Sequence, residues 1–181
     1  HFGRETKGIY RDGKKWSGKF WIRVKLDTLG GKIETDDDLR EDDEDENKNV
    51  YKGLFTYDDG LWNGLGVVYW GNGNKRGEGL YEDGKQGGFY KRYYESGKVE
   101  WEGNYVDGKL EGKQVLYYES GNILVEVNYV DGKQDGKWVL YYESGKVWWE
   151  RNYVDGKLES KGVWYYESGK VWWERNYVDG K

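Results

Sequence analysis

The chain has 181 residues and a formal net charge of −5, with 29 Gly, 18 Tyr and 11 Trp but no Ala, Cys, Met or Pro. Without cysteine there is no disulfide framework and no thiolate chemistry, and with so few small aliphatic residues a packed helical bundle is excluded. An aromatic content of 18% sets it apart from disordered chains, which are poor in rings, and no apolar run approaches the roughly 20 residues that span a bilayer.

From the N-terminus, residues 1–33 read as a diverged repeat, marked by Tyr10-Arg11-Asp12-Gly13. A start at His1 rather than Met, and a stop at Val178-Asp179-Gly180-Lys181, one turn into a repeat, are the marks of a processed or truncated chain. His1 as first residue leans toward an exported, cell-surface location. Residues 34–49 break the pattern. Glu34 to Glu46 holds ten acidic residues against Arg40, a local charge of −9 that leaves about +4 for the rest. Like charges this dense repel one another and resist packing, so the segment reads as a solvated loop. The alternative is a divalent-cation or basic-partner site, but the Asp36-Asp37-Asp38 and Asp42-Asp43-Glu44-Asp45-Glu46 runs lack the spaced ligands and glycine of a calcium loop, so no specific metal site is expected.

Residues 50–181 are a tandem array. Tyr57, Tyr81, Tyr105, Tyr129, Tyr153 and Tyr177 each precede a turn signal at steps of 24 residues, with Asn72-Gly73, Ser96-Gly97, Ser120-Gly121, Ser144-Gly145 and Ser168-Gly169 between them. Self-similarity at a fixed period is the signature of a repeat architecture. Asp-Gly, Asn-Gly and Ser-Gly are turn dipeptides, so each unit is expected to be a β-hairpin. With Ser144-Gly145 as a two-residue loop, Glu143 faces Lys146, Tyr142 faces Val147, Tyr141 faces Trp148 and Leu140 faces Trp149.

Alternation then puts Trp138, Leu140, Tyr142, Val147, Trp149, Arg151 and Tyr153 on one face. Lys137, Val139, Tyr141, Glu143, Lys146, Trp148, Glu150 and Asn152 fall on the other. Strands of unequal length leave two residues per repeat to be accommodated. Either the sheet shears steadily, or a bulge or widened turn near Gly64, Gly88, Gly112 and Gly136 absorbs them. The second is favoured, with Asp-Gly as the longer turn. Ser160 replaces that glycine in the last unit, with Gly162 two residues on, so a different local geometry is expected there. The fold class is all-β: an elongated, twisted, single-layer antiparallel meander of hairpin units.

Tyr129-Val-Asp-Gly-Lys-Gln-Asp-Gly136-Lys-Trp-Val-Leu-Tyr-Tyr-Glu-Ser-Gly-Lys146 resembles the MORN repeat family, and is closest to its bacterial variant, the MORN-2 or YwqK-like antitoxin repeats. Tyr51-Lys-Gly53-Leu-Phe55-Thr-Tyr57-Asp-Asp-Gly60 looks like the more general form. The resemblance covers residues 51–181 well and 8–24 loosely. It implies a meander used for scaffolding, membrane-proximal localisation, protein contacts and antitoxin roles, and it carries no catalytic residues to transfer. A weaker likeness joins Gly136-Lys-Trp138-Val-Leu-Tyr141-Tyr142 to the aromatic hairpins of choline- and glucan-binding cell-wall repeats.

No catalysis is expected. The lone histidine is His1, so a Ser-His-Asp arrangement lacks its base, and the repeated carboxylates sit beside turns and lysines. No cofactor motif is present. Lysines alternate with acids, so no nucleic-acid groove is expected. The candidate working surface is aromatic: Tyr93, Tyr117, Tyr141, Trp148, Tyr165 and Trp172, repeated along the second face. Packed rings also substitute for the core that a single-layer sheet lacks. The expected function is a non-catalytic scaffold for protein partners. Self-association through terminal strand edges into a fibre or surface layer, and glycan or cell-wall binding, are the alternatives.

Overall fold

The computed structural model describes residues 7–12, 14–26, 33–35 and 50–177. The acidic run from Asp36 to Glu46 lies outside them. Two compact units divide the chain, one of His1–Gln86 with Glu95–Gly97, the other of Gly87–Tyr94 with Lys98–Lys181. All regular structure among the described residues is strand.

The first unit contains β1 (Lys7–Arg11), β2 (Lys14–Leu26), β3 (Ile33–Thr35), β4 (Val50–Asp58), β5 (Leu61–Trp62), β6 (Gly64–Tyr69) and β7 (Lys75–Glu82). Its antiparallel order is β1-β2-β4-β6-β7, with β3 on β2 and β5 on β4. Phe55, Tyr57, Val67, Val68 and Tyr81 are buried. The Phe55 ring stacks on Trp62 at 4.5 Å, and Tyr81 closes the cluster edge-on to Trp62 at 5.1 Å. Gly66 lies against these rings: a Cβ there would come within 2.6 Å of Phe55.

The second unit is the repeat array: β8 (Lys85–Tyr93) from Gly87 onward, β9 (Val99–Val106), β10 (Lys109–Tyr117), β11 (Ile123–Val130), β12 (Lys133–Tyr141), β13 (Val147–Val154), β14 (Lys157–Tyr165) and β15 (Val171–Tyr177). Each strand pairs antiparallel with the next in sequence. The meander of hairpins is therefore observed, and its details correct the expected turns.

The two turns of each repeat differ in the opposite sense from the one expected. Asp-Gly is the tight turn. Val130 pairs with Lys133, leaving only Asp131 and Gly132 between strands, and their φ angles of 50° and 78° are those of a type I′ loop. Asp107-Gly108 and Asp155-Gly156 repeat this geometry. Ser-Gly forms the longer loop: Gly145 N donates to Tyr142 O at 2.8 Å, and Tyr142 N donates to Lys146 O at 2.8 Å. Three residues, Glu143-Ser144-Gly145, thus sit between the last paired positions, with Gly145 alone at positive φ.

The reason is conformational. A type I′ turn needs two consecutive residues with φ above zero, which Asp tolerates far better than Ser. The longer loop also shifts the facing residues. Tyr141 pairs with Val147, and Leu140 pairs with Trp149 as expected, so Trp148 is the extra residue of a bulge. The expected pairs Tyr142 with Val147 and Tyr141 with Trp148 do not form.

The two surplus residues are absorbed at the glycine, as favoured from the sequence. Glu111 faces Asn104 while Val115 faces Glu102, so four steps along β10 match two along β9. The bulge recurs on β12 and β14. Gly112 and Gly136 take φ of 71° and 85° there, and Ser160 adopts the same left-handed conformation at 64°. The last repeat keeps the geometry despite losing its glycine. Equivalent residues consequently stay in phase: Gly88 faces Tyr105, Gly112 faces Tyr129, Gly136 faces Tyr153 and Ser160 faces Tyr177.

Candidate functional site

In-phase repetition turns each type of position into a row running across the strands, and the two faces of the second unit carry different chemistry. On one face Glu102 of β9, Glu126 of β11 and Glu150 of β13 each sit between a lysine and a tyrosine. Glu126 accepts from Lys113 Nζ at 2.5 Å and from the Tyr141 hydroxyl at 3.0 Å. Glu150 is held by Lys137 at 2.6 Å and Tyr165 at 2.8 Å, and Glu102 by Lys91 at 2.9 Å and Tyr117 at 2.6 Å. Lys161 pairs with Glu174 in the same way. Val115 and Val139 are buried in these rows.

The titration behaviour follows from this packing. The Tyr117 hydroxyl bond and Lys91 hold the Glu102 carboxyl below its ordinary value. Lys113 does most to lower Glu126, with Tyr141 adding to it. Burial raises Glu150, and Lys137 with Tyr165 outweigh it. On the tyrosine side, burial and then the bonded glutamate push Tyr117 and Tyr141 up to about 12.

The second tyrosine of the first three Tyr-Tyr pairs has a different task. Tyr94 OH donates to Tyr117 O at 2.6 Å, Tyr118 OH to Tyr141 O at 2.8 Å, and Tyr142 OH to Tyr165 O at 2.9 Å. Along the other margin, Lys109 bridges to Asp131 and Lys133 to Asp155, both at 2.6 Å, which ties successive Asp-Gly turns together.

The opposite face is built of rings. Trp138, Trp149, Trp164 and Trp173 form a ladder across β12 to β15, with centroid separations of 5.0, 5.0 and 4.4 Å. The Arg151 guanidinium lies over three rings of this face, at 4.0 Å from Trp149, 4.7 Å from Trp138 and 4.9 Å from Tyr153. On β14, Gly162 faces Arg175, and a Cβ there would come within 3.2 Å of the Tyr177 ring and 3.3 Å of Trp164. Burial lowers Arg151 from its ordinary value. Its Nε and the Trp149 indole N–H are both buried without a hydrogen-bond partner. Arg175, one repeat on, lies 5.1 Å from the Tyr177 ring.

The residues expected to form the working surface are divided by this geometry. Tyr117, Tyr141 and Tyr165 do line up at one position per repeat, each with its hydroxyl on a glutamate, and Tyr93 holds the same register position against Val99. Trp148 and Trp172 do not join that row. As bulge residues beside the Ser-Gly loops they pack with tilted rings against Tyr142 at 5.8 Å and Tyr166 at 6.1 Å. The tryptophan ladder with Arg151 was not singled out from the sequence as a site. The available signal was the alternation that put Trp138, Trp149, Arg151 and Tyr153 on one face.

Among the described residues, no group of three or more His, Cys, Asp or Glu could hold a metal ion, and no helix is long and apolar enough to cross a membrane. A single-layer array of in-phase β-hairpins, stabilised by rows of rings and ion pairs, defines the second unit as a repeat module. Residues 87–107, 110–131, 134–155 and 158–179 each match the family model of the MORN repeat variant, so this part of the chain consists of four tandem MORN-variant repeats. Such repeats are in general non-catalytic modules. No curated protein matches the chain.

Proposed function

We propose that the protein is a scaffold that binds protein partners, with the ring-lined face of β12–β15 as its contact surface. The observation that carries this reading is the tryptophan ladder itself. Trp138, Trp149 and Trp164 are half-buried and Trp173 is 46% exposed. Contiguous apolar surface on this scale marks interaction sites, and interface centres are enriched in Trp, Tyr and Arg. The tyrosines of the other face are less available, because Glu102, Glu126 and Glu150 already accept their hydroxyls.

Ring geometry favours protein over glycan. A sugar stacks on the open face of an aromatic ring, and here Trp149 and Trp164 cover each other at an inclination of 16°, while Trp138 meets Trp149 edge-on and Trp173 tilts against Trp164. What remains is ring edges interleaved with a guanidinium, which suits apolar and acidic side chains. The likeness to bacterial antitoxin repeats is a narrower version of the same proposal, since covering a protein partner is what such a role would require.

Affinity capture with the full chain and its Trp164→Ser and Trp173→Ser variants tests this. Partners recovered by the parent chain are expected to be lost from variants that keep the parent far-UV circular dichroism. Equal recovery by folded variants would place the contact elsewhere.

A further inference from the structure

The charges of β12–β15 are sorted by face. In β12–β15, Glu150 and Glu174 are taken up by Lys137 and Lys161 on the charged face, where Glu159 pairs in register with Asn152. Asp135 accepts from the backbone N of Asp155 at the tight turn, and Glu143 and Glu167 lie in the Ser-Gly loops. The ring face of these strands carries Arg151 and Arg175 and no carboxylate.

Arg92 shows what an internally neutralised arginine looks like in the same array. It donates to Glu100 through Nε at 2.7 Å and through a terminal nitrogen at 3.2 Å. Glu100 stands at the position occupied by Trp148 and Trp172 in the later repeats. The repeat that carries Arg151 has Leu140 and Trp148 where Arg92 and Glu100 stand, so that ion pair has no counterpart there, and among the described residues no carboxylate pairs with Arg151. Its buried Nε has no acceptor. A guanidinium offers donors in a planar fork that matches a carboxylate, and on an aromatic face it is screened less than in open water.

We infer that the ring face binds an acidic segment of a partner protein, in which carboxylates seat on Arg151 and Arg175 and apolar side chains cover the tryptophan ladder between them. This rests on the reading of that face as the contact surface and specifies what it recognises. β13 and β15 flank β14, so the two guanidinium groups stand about 10 Å apart in the direction across the strands. In a polyproline-type extended peptide, residues i and i+3 lie on one side about 9 Å apart. The pattern that fits is acid-x-x-acid with apolar residues at x, crossing the strands.

Three synthetic peptides test this against the full chain, read by tryptophan fluorescence: Glu-Leu-Leu-Glu flanked by neutral residues, its Gln-Leu-Leu-Gln counterpart, and Glu-Ser-Ser-Glu. The first is expected to bind at least tenfold tighter than the other two. Arg151→Gln should remove about tenfold of that affinity, and so should Arg175→Gln, which changes an exposed residue and spares the stacked Arg151 if that variant folds poorly. Equal binding of the Gln peptide, or affinity unchanged in both arginine variants, would overturn the inference. If the Gln peptide binds as well and Trp164→Ser abolishes both, the ring face remains a contact surface without acid recognition. If no peptide binds while phosphatidylserine vesicles sediment the chain in an Arg175-dependent way, the face reads a lipid surface and the inference fails.

Discussion

The Tyr118 hydroxyl donates to the backbone oxygen of Tyr141, 23 residues later, at 2.8 Å. Tyr94 and Tyr142 make the same bond to Tyr117 and Tyr165. One side chain per repeat therefore clips its hairpin to the next at the Ser-Gly end. Tyr118→Phe keeps the ring and deletes the clip. A net hydrogen bond contributes about 1 kcal/mol, more when an acceptor is left without a partner in a part-buried place. A loss of about 1 kcal/mol in urea unfolding is expected, with far-UV circular dichroism unchanged.

Ser160 and Gly136 hold equivalent bulge positions at φ of 64° and 85°. A Cβ at Gly136 would have nothing within 4 Å, so its substitution probes backbone conformation alone. Gly136→Ala is expected to cost about 1 kcal/mol, and Ser160→Gly to stabilise by a similar or smaller amount. Opposite signs in denaturant titrations are the expected outcome; the same sign for both would remove the bulge explanation.

In the first unit the cost has a different origin. A Cβ on Gly66 meets Phe55 at 2.6 Å and Tyr81 at 2.9 Å, both as ring atoms of buried side chains. Gly66→Ala should destabilise by about 1–3 kcal/mol through overpacking. Denaturant unfolding followed by the fluorescence of Trp62, which stacks on Phe55, would measure it.

The Lys-Glu-Tyr rows give stability two pH limits. Glu102 and Glu126 are held below their ordinary value of 4.5 in the folded chain. Their contribution is complete above that value and is lost as pH falls through the lowered folded value. Tyr117 and Tyr141 rise from 10.0 to about 12. Their contribution is complete below pH 10 and is lost as pH rises toward about 12. The urea midpoint should be flat from pH 6 to 9 in the sense of these groups and fall on either side, and Glu126→Gln should shallow both falls. A midpoint that keeps rising into acid would contradict it.

The period, the hairpins and the absorption of two residues at each glycine were legible because they depend on local backbone chemistry. The order of the turns was not, although its cause is local too. Ser144-Gly145 looks like a two-residue loop until the need for two positive φ values is set against serine's poor tolerance of them. That one displaced loop moved Trp148 out of register with Tyr141, and so split the expected surface. The tyrosine row of Tyr117, Tyr141 and Tyr165 was found, but its bonding to Glu102, Glu126 and Glu150 involves partners 15 residues away, beyond any local pattern. Arg151 was placed on the correct face. Its isolation from carboxylates emerges only when the side of every neighbouring acid is known.

Trp173 and Glu174 are adjacent on β15 and belong to opposite faces, Trp173 packing on Trp164 at 4.4 Å and Glu174 pairing with Lys161. Replacing each in turn by the photo-crosslinker benzoylphenylalanine in the full chain tests directly which face makes contact. A partner crosslinked from position 173 and not from position 174 is the result expected. Crosslinking from 174 alone would put the contact on the charged face and contradict the account.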